Sequence, residues 1–288
     1  MKKEVENAVK IGVIGAGVMG RGVAQALAQS GLAVVLVDIE HAKLEQAREE
    51  IATQLRFRGL FGSSGNLEAT DSIMDRIAFT TEHHSLSDVS FVIENATENW
   101  DVKSGIYELI DGICQPECIF MINTSCISIT KLAAVTKRAP QVIGTHFMNP
   151  VPTKKTVEVI RGFHTSEECI RAVDGLMGAM GKEMIVVNDY PGFVSNRISH
   201  LFMNEAAYVV QDQVASAEEV DEIFKKCYGH AMGPLETADL IGLDTVVHSL
   251  NVLYESYQDS KFRCCPLLRK MVDAGLHGRK SGQGFYTY

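Results

Sequence analysis

No stretch of this sequence stays apolar and uncharged for anything near the roughly 18 residues that a membrane-spanning helix needs, and a transmembrane role is therefore not expected. Basic residues are in short supply: 27 lysines and arginines face 36 acidic residues, giving a net charge of -9 and an isoelectric point near 5.5. Such a surface repels nucleic-acid phosphates and anionic lipid unless a local basic patch intervenes. The chain has none, since Lys154 with Lys155, and Lys225 with Lys226, are short and isolated. Its 7 cysteines include no C-x-x-C pair with a second pair or histidines nearby, which argues against a metal site. An odd number of cysteines without a secretion signal points to a reducing compartment, with cytoplasm the default. The first residues, MKKEVENAVKIGVIGAGVMG, imitate a signal peptide, but Glu4 and Glu6 break the basic region and a glycine-rich run leads into Arg21. Flexible linkers, internal repeats and low-complexity segments are also lacking.

What is present reads as a soluble α/β protein. With 46% hydrophobic and 22% charged residues, 288 residues suffice for one large domain or two modest ones. Short β-rich runs alternate with longer helical patterns: VKIGVIGAG, AVVLVD, SFVIENA, CIFMINTS, QVIGTHF, TVEVIRG and EMIVVN. This alternation implies crossover units and a mainly parallel sheet covered on both faces. After NDYPGFVSNR the texture changes. Ile198, Leu201, Phe202, Val209 and Val210 recur at helical spacing, and SAEE at 216–219 reads as a capping box. The expected division is an α/β domain over 1–190 and an all-helical domain over 191–288, packed firmly for want of a linker.

VIGAGVMG places Gly15, Gly17 and Gly20 in G-x-G-x-x-G spacing, after a strand and at the start of a helix. The first glycine permits a tight turn, the second lets backbone approach a pyrophosphate, and the third lets helix and strand pack closely. Val18 and Met19 complete the cradle, and the helix start favours phosphate. Asp38 ends the next strand, where its carboxylate suits an adenosine ribose diol and repels a 2'-phosphate, favouring NAD over NADP. The bland alternative is a glycine turn that only packs. Taken together, these elements describe a Rossmann-type dinucleotide-binding domain.

A nicotinamide cofactor takes a hydride, so the alcohol that loses it needs a base for its proton. GTHFMNPVPTKKTVEVIRG carries His146 and Glu158, and a turn with a returning strand brings such residues together. Histidine suits the task because it titrates near neutrality, and a carboxylate stabilises its protonated form. On local pattern alone, His146 also reads as structural and Glu158 as the solvent face of an edge strand.

The ordered motifs VIENATENWDVK, NTS, GTHFMNPVP, VEVIRG, PGFVSNRI, MGPLETADLIGLD and GRKSGQGFY cover essentially the whole chain. In them the sequence resembles the L-3-hydroxyacyl-CoA dehydrogenases of the 3-hydroxybutyryl-CoA dehydrogenase type. The resemblance implies oxidation of a 3-hydroxyacyl thioester with NAD, or the reverse reduction. It makes His146 the general base and Glu158 its partner, with Ser125 and Asn196 bonding the substrate oxygens. Glu98, Lys103 and Asn123 then serve the nicotinamide half of the cofactor, and the helical domain carries a homodimer contact. Read without the family, Ser125 and Asn196 are helix caps and Lys103 a solvated helix charge.

The chain also departs from the family. Members commonly carry a lysine-rich helical hairpin that holds the CoA nucleotide, whereas residues 59–75, GLFGSSGNLEATDSIMD, contain no basic residue, leaving Arg56 and Arg58 nearby. Lys154 and Thr156 stand where apolar residues are usual, and Cys126 where a serine is. These changes raise two alternatives: a short polar 3-hydroxyacyl group tethered to an acyl carrier protein, and a non-catalytic NAD-binding dimer. Cys126 itself reads as a small packing residue, with no histidine to activate it.

Overall fold

A computed structural model describes residues 9–61 and 68–288. The chain divides into two compact units, Met1–Asp189 and Tyr190–Tyr288. In the first, the order is β1 (Lys10–Ile14), α1 (Val18–Gln29), β2 (Ala33–Val37), α2 (His41–Phe61), α3 (Thr70–Met74), β3 (Ile77–Thr80), β4 (Phe91–Glu94) and α4 (Trp100–Asp111). There follow β5 (Ile119–Ile122), α5 (Ile129–Ala133), β6 (Val142–His146), β7 (Thr156–Arg161), α6 (Glu167–Ala179) and β8 (Glu183–Asn188). All eight strands form one sheet in the order β3-β2-β1-β4-β5-β6-β7-β8.

Every neighbouring pair is parallel except β6 with β7. The two last strands thus run against the other six. The chain order reverses between β1 and β4, the switch point where open α/β sheets bind ligands. Strands β5 and β6 are buried throughout, which explains their apolar runs without alternation. Val13, Leu27, Leu36, Ile93 and Met121 are among the residues of the core that helices and sheet share.

One strand escaped the sequence reading. Ile77–Thr80 is an edge strand of four residues with a single buried side chain, Ile77, so its hydrophobic signal is weak. Glu158, by contrast, is not on an edge: β7 lies between β6 and β8. Residues 62–67, the middle of the stretch that lacks basic residues, lie outside the described residues, as do residues 1–8.

The second unit is α7 (Ser195–Gln211), α8 (Ala217–Tyr228), α9 (Pro234–Ile241), α10 (Leu243–Tyr257) and α11 (Pro266–Asp273). Ser216 and Glu219 form the expected capping box at the start of α8. The buried face of α7 differs from expectation: Met203, Ala206 and Ala207 enter the core, while Ile198 is 64% exposed. Two buried carboxylates hold the C-terminal segment. Asp239 accepts from the amides of Phe285 and Tyr286, and Asp221 from those of Leu235 and Glu236 and from the Tyr286 hydroxyl. Gly284 and Gly233 are required beside them, because a Cβ would lie 2.1 Å from Asp239 and 2.2 Å from Asp221. The motifs MGPLETADLIGLD and GRKSGQGFY are therefore two halves of one lock.

Candidate active site

The glycine turn has the geometry that its three roles demand. Gly15 follows β1 at φ +91°, a region that side chains avoid, and its amide donates to Val37 O at 2.8 Å. Gly17 precedes α1, and a Cβ there would meet nothing within 4 Å, so the space before the helix is open to a ligand. At Gly20 the reverse holds, with a Cβ falling 1.7 Å from Gly15 O. The first turn of α1 carries no acidic side chain to compete with a phosphate, and Val18 beside it is 58% exposed while Met19 leans on the core.

Asp38 follows β2 and braces this turn. Its Oδ2 accepts from Ala16 N at 2.7 Å and its Oδ1 from Glu40 N at 3.0 Å. A carboxylate oxygen has two lone pairs, so each keeps capacity for a ribose hydroxyl. The residues present therefore fit a dinucleotide bearing a free ribose diol: open backbone at Gly17, an uncontested helix start and a fixed carboxylate.

At the end of β4 lies a cluster that sequence reasoning missed. Lys103 and Glu94 are both 0% exposed, and the ammonium lies 2.8 and 2.9 Å from the two carboxylate oxygens. The same ammonium donates to Asn123 O at 3.2 Å, and Tyr107 donates its hydroxyl to Glu94 at 3.2 Å. Burial pushes the Glu94 carboxyl above its ordinary range, opposed by Lys103, the Ala96 amide and Tyr107. Burial, and then the Glu94 charge, hold the Tyr107 hydroxyl well above its usual value. Lys103 is thus neither a solvated charge nor exposed to a ligand. The only sequence signal for Glu94 is a lone carboxylate closing an apolar strand.

Asn123 joins three strands' ends: its side chain donates to Asn95 Oδ1 at 2.7 Å and accepts from Phe147 N at 3.3 Å. Glu98 grips the next residues. One of its oxygens accepts from the Thr124 hydroxyl, from Ser125 N at 3.0 Å and from Cys126 N at 2.9 Å. Its other oxygen is 3.9 Å from Lys103 Nζ, and the side chain is 31% exposed. The helix cap is Ser128, whose hydroxyl accepts from Lys131 N, so Ser125 is released from that duty.

The register of β6 and β7 sets His146 directly opposite Glu158. His146 Nδ1 lies 3.0 Å from Glu158 Oε2, and its Nε2 lies 3.2 Å from Ser125 Oγ. An ionised carboxylate only accepts, so Nδ1 carries the hydrogen and Nε2 presents a lone pair toward the hydroxyl. The imidazole is 7% exposed. Asn196 belongs to the other unit, in the first turn of α7; Val194 holds the cap position, so Asn196 does not. Among the described residues no group of histidine, cysteine, aspartate and glutamate could hold a metal ion.

The sequence matches the family model for the 3-hydroxyacyl-CoA dehydrogenase NAD binding domain over residues 10–190 and that for the C-terminal domain over 192–288. It is 46% identical over 281 residues to a probable 3-hydroxybutyryl-CoA dehydrogenase of Deinococcus radiodurans, covering 97% of this chain and 100% of the relative. A Bacillus subtilis protein of the same description is 45% identical over 279 residues, 97% of each chain. The crystal structure of (S)-3-hydroxybutyryl-CoA dehydrogenase from Ralstonia eutropha superposes with a TM-score of 0.93 at 45% identity, over 98% of this chain and 99% of that one.

Proposed function

The chain belongs to the 3-hydroxyacyl-CoA dehydrogenase family of NAD-dependent oxidoreductases, and from that premise we propose that it interconverts short 3-hydroxyacyl-CoA and 3-oxoacyl-CoA, with 3-hydroxybutyryl-CoA the lead substrate. The observation that carries the proposal is the chain Ser125–His146–Glu158, linked at 3.2 and 3.0 Å. Bound NAD supplies the hydride acceptor. The protein supplies the proton acceptor: His146 Nε2 takes the hydroxyl proton, and Glu158 stabilises the imidazolium across Nδ1. Ser125 and Asn196 orient the substrate oxygens in this reading. Gly15, Gly17, Val18, Met19, Gly20 and Asp38 hold the dinucleotide, and Glu98 keeps one oxygen toward its nicotinamide end. Lys103 and Asn123 act there indirectly, by fixing the floor beneath it.

A serine–histidine–glutamate chain also suggests a hydrolase. That reading fails on the backbone, because the amides of Ser125 and Cys126, which would have to stabilise an oxyanion, already donate to Glu98. A short polar acyl group on an acyl carrier protein is the second reading. It is favoured by Thr156, exposed on β7 at the same-face position two residues before Glu158, and by exposed Lys154.

Turnover of acetoacetyl-CoA with NADH, followed at the nicotinamide absorbance, tests the main reading. A His146→Gln variant should bind NADH normally while losing turnover by about 10²- to 10⁴-fold. NADH binding by the wild type without turnover of any thioester would leave the non-catalytic dimer. Comparing one acyl group on CoA and on carrier protein separates the two enzymatic readings, since comparable or better rates on CoA dismiss the carrier.

A further inference from the structure

The strands carrying His146 and Glu158 are joined by residues 147–155, and a charged side chain from elsewhere in the fold is buried inside that connection. Lys182, between α6 and β8, is 8% exposed. Its Nζ donates to Val151 O and to Lys154 O, both at 2.6 Å. No carboxylate pairs with it among the described residues, and burial alone pushes its pKa below the ordinary lysine value. A buried ammonium without an anion is costly, and here two carbonyl oxygens satisfy it.

Those two carbonyls sit on either side of the turn. The amides of Thr153 and Lys154 both donate to Pro150 O at 3.1 Å, so the turn is tight before Lys182 joins it. Lys155 O then accepts from Glu183 N at 2.7 Å, the first rung of the β7–β8 ladder that puts Thr156 opposite Glu183 and Glu158 opposite Ile185. On its other side the turn touches the dinucleotide helix, where a Cβ on Gly22 would fall 3.2 Å from the Val151 side chain. Val151 is 1% exposed. One ammonium therefore ties the entry of β8 to both ends of the turn that spaces the dyad.

Resting on the dehydrogenase reading above, we propose that Lys182 is a positioning residue for the reaction, clamping the 150–154 turn so that Glu158 meets His146 in register. It touches neither substrate nor cofactor. Its loss leaves the buried Val151 carbonyl and the part-buried Lys154 carbonyl without this donor, and the turn relaxes toward solvent. The carboxylate then orients the imidazole less well, and misplacement of about 1 Å in such a pair lowers turnover by about 100-fold.

The test is a double-mutant cycle of Lys182→Met with Glu158→Gln, reading kcat for acetoacetyl-CoA reduction and NADH affinity by fluorescence. Lys182→Met alone should lower kcat about 100-fold with NADH affinity preserved, and Lys182→Arg should restore most of the rate. In the Glu158→Gln background the same change should add less than about threefold, since the contact it serves is already impaired. Equal losses in both backgrounds, or Lys182→Met turnover within about twofold of wild type, overturn the proposal. Should Lys182→Met fail to fold, Lys182→Gln, which keeps a donor for one carbonyl, enters the same cycle. If the wild type turns over no 3-hydroxyacyl thioester, the dehydrogenase reading fails instead. The clamp is then judged by hydrogen exchange at the Thr153 and Lys154 amides, which accelerates in a folded Lys182 variant if the clamp exists and is unchanged if it does not.

Discussion

Gly17, just before α1, and Gly20, in its first turn, stand three residues apart and resist substitution for opposite reasons. A Cβ at Gly20 collides with Gly15 O at 1.7 Å, whereas one at Gly17 meets nothing within 4 Å. Gly17→Val should therefore fold with nearly wild-type thermal stability and lose NADH binding, because its side chain occupies the approach of the pyrophosphate. Gly20→Ala should lower stability itself, by about 1–3 kcal/mol as for overpacked sites, measured by urea denaturation. If Gly17→Val binds NADH as tightly as wild type, the cradle has been misassigned. The thiols give a second contrast at this scale. Burial pushes Cys169 up to about 12 and Cys264 up to about 11, while Cys227 is exposed. Thiolate is the reactive form, so Cys169 and Cys264 stay protonated and silent toward iodoacetamide at pH 8 and begin to react only as pH climbs toward those values. Peptide mass spectrometry of the labelled native protein should find modification at Cys227 and none at Cys169 or Cys264.

Among the elements, α4 and β4 depend on each other through charge. Lys103 on α4 neutralises Glu94 at the end of β4, with neither side chain exposed. Replacing a buried pair by apolar residues is often tolerated, but removing one partner strands a charge at a cost of about 3–5 kcal/mol. Lys103→Met should show that loss at pH 8 in chemical denaturation. Its dependence on pH has a definite sign. Without Lys103, burial raises the folded-state Glu94 pKa further above its unfolded value, so the variant binds a proton more readily when folded. The deficit should then shrink as pH falls toward the ordinary carboxylate range and grow as pH rises through the raised value. A deficit that does not vary with pH would mean that Glu94 is not the group left stranded. The strand–helix signals for both elements were legible in VIENATENWDVK, but their pairing was not, because nine residues of separation match no helix or strand period.

For the molecule as a whole, cofactor choice is a stability statement. A ligand that binds only the folded chain stabilises it by about 2.7 kcal/mol at a hundredfold excess over Kd. NADH should accordingly raise the melting temperature, and NADPH should not, because its 2'-phosphate would meet the Asp38 carboxylate held by Ala16 N and Glu40 N. Equal shifts with both cofactors would remove Asp38 from the discriminating role. The homodimer that the family resemblance implies belongs to this scale too. Val214, Ile223 and Tyr228 of the helical unit are 74%, 49% and 69% exposed, apolar surface of the kind that association covers. If that implication holds, sedimentation should give about twice the 31.6 kDa of the chain, and a single-chain mass would rule the dimer out. Among the described residues, no helix is long and apolar enough to cross a membrane.

Local chemistry in the sequence determined the elements of the α/β unit, the turn with its three glycines, Asp38 at the end of the second strand, and the capping box at Ser216. Each depends on residues close together along the chain, where backbone sterics and period-2 or period-3.6 patterning act directly. Folding in three dimensions decided the rest. The short edge strand at Ile77–Thr80 forms because β2 offers it a partner. The antiparallel return of β7 sets Glu158 against His146, and Glu98 gathers three donors from a loop more than twenty residues away. Lys182 reaches across roughly thirty residues to two carbonyls that no pattern in the chain announces. Carboxylates and ammonium groups carry no periodicity; what pairs them is the desolvation cost of burying a charge alone, and that cost arises only once the chain is packed.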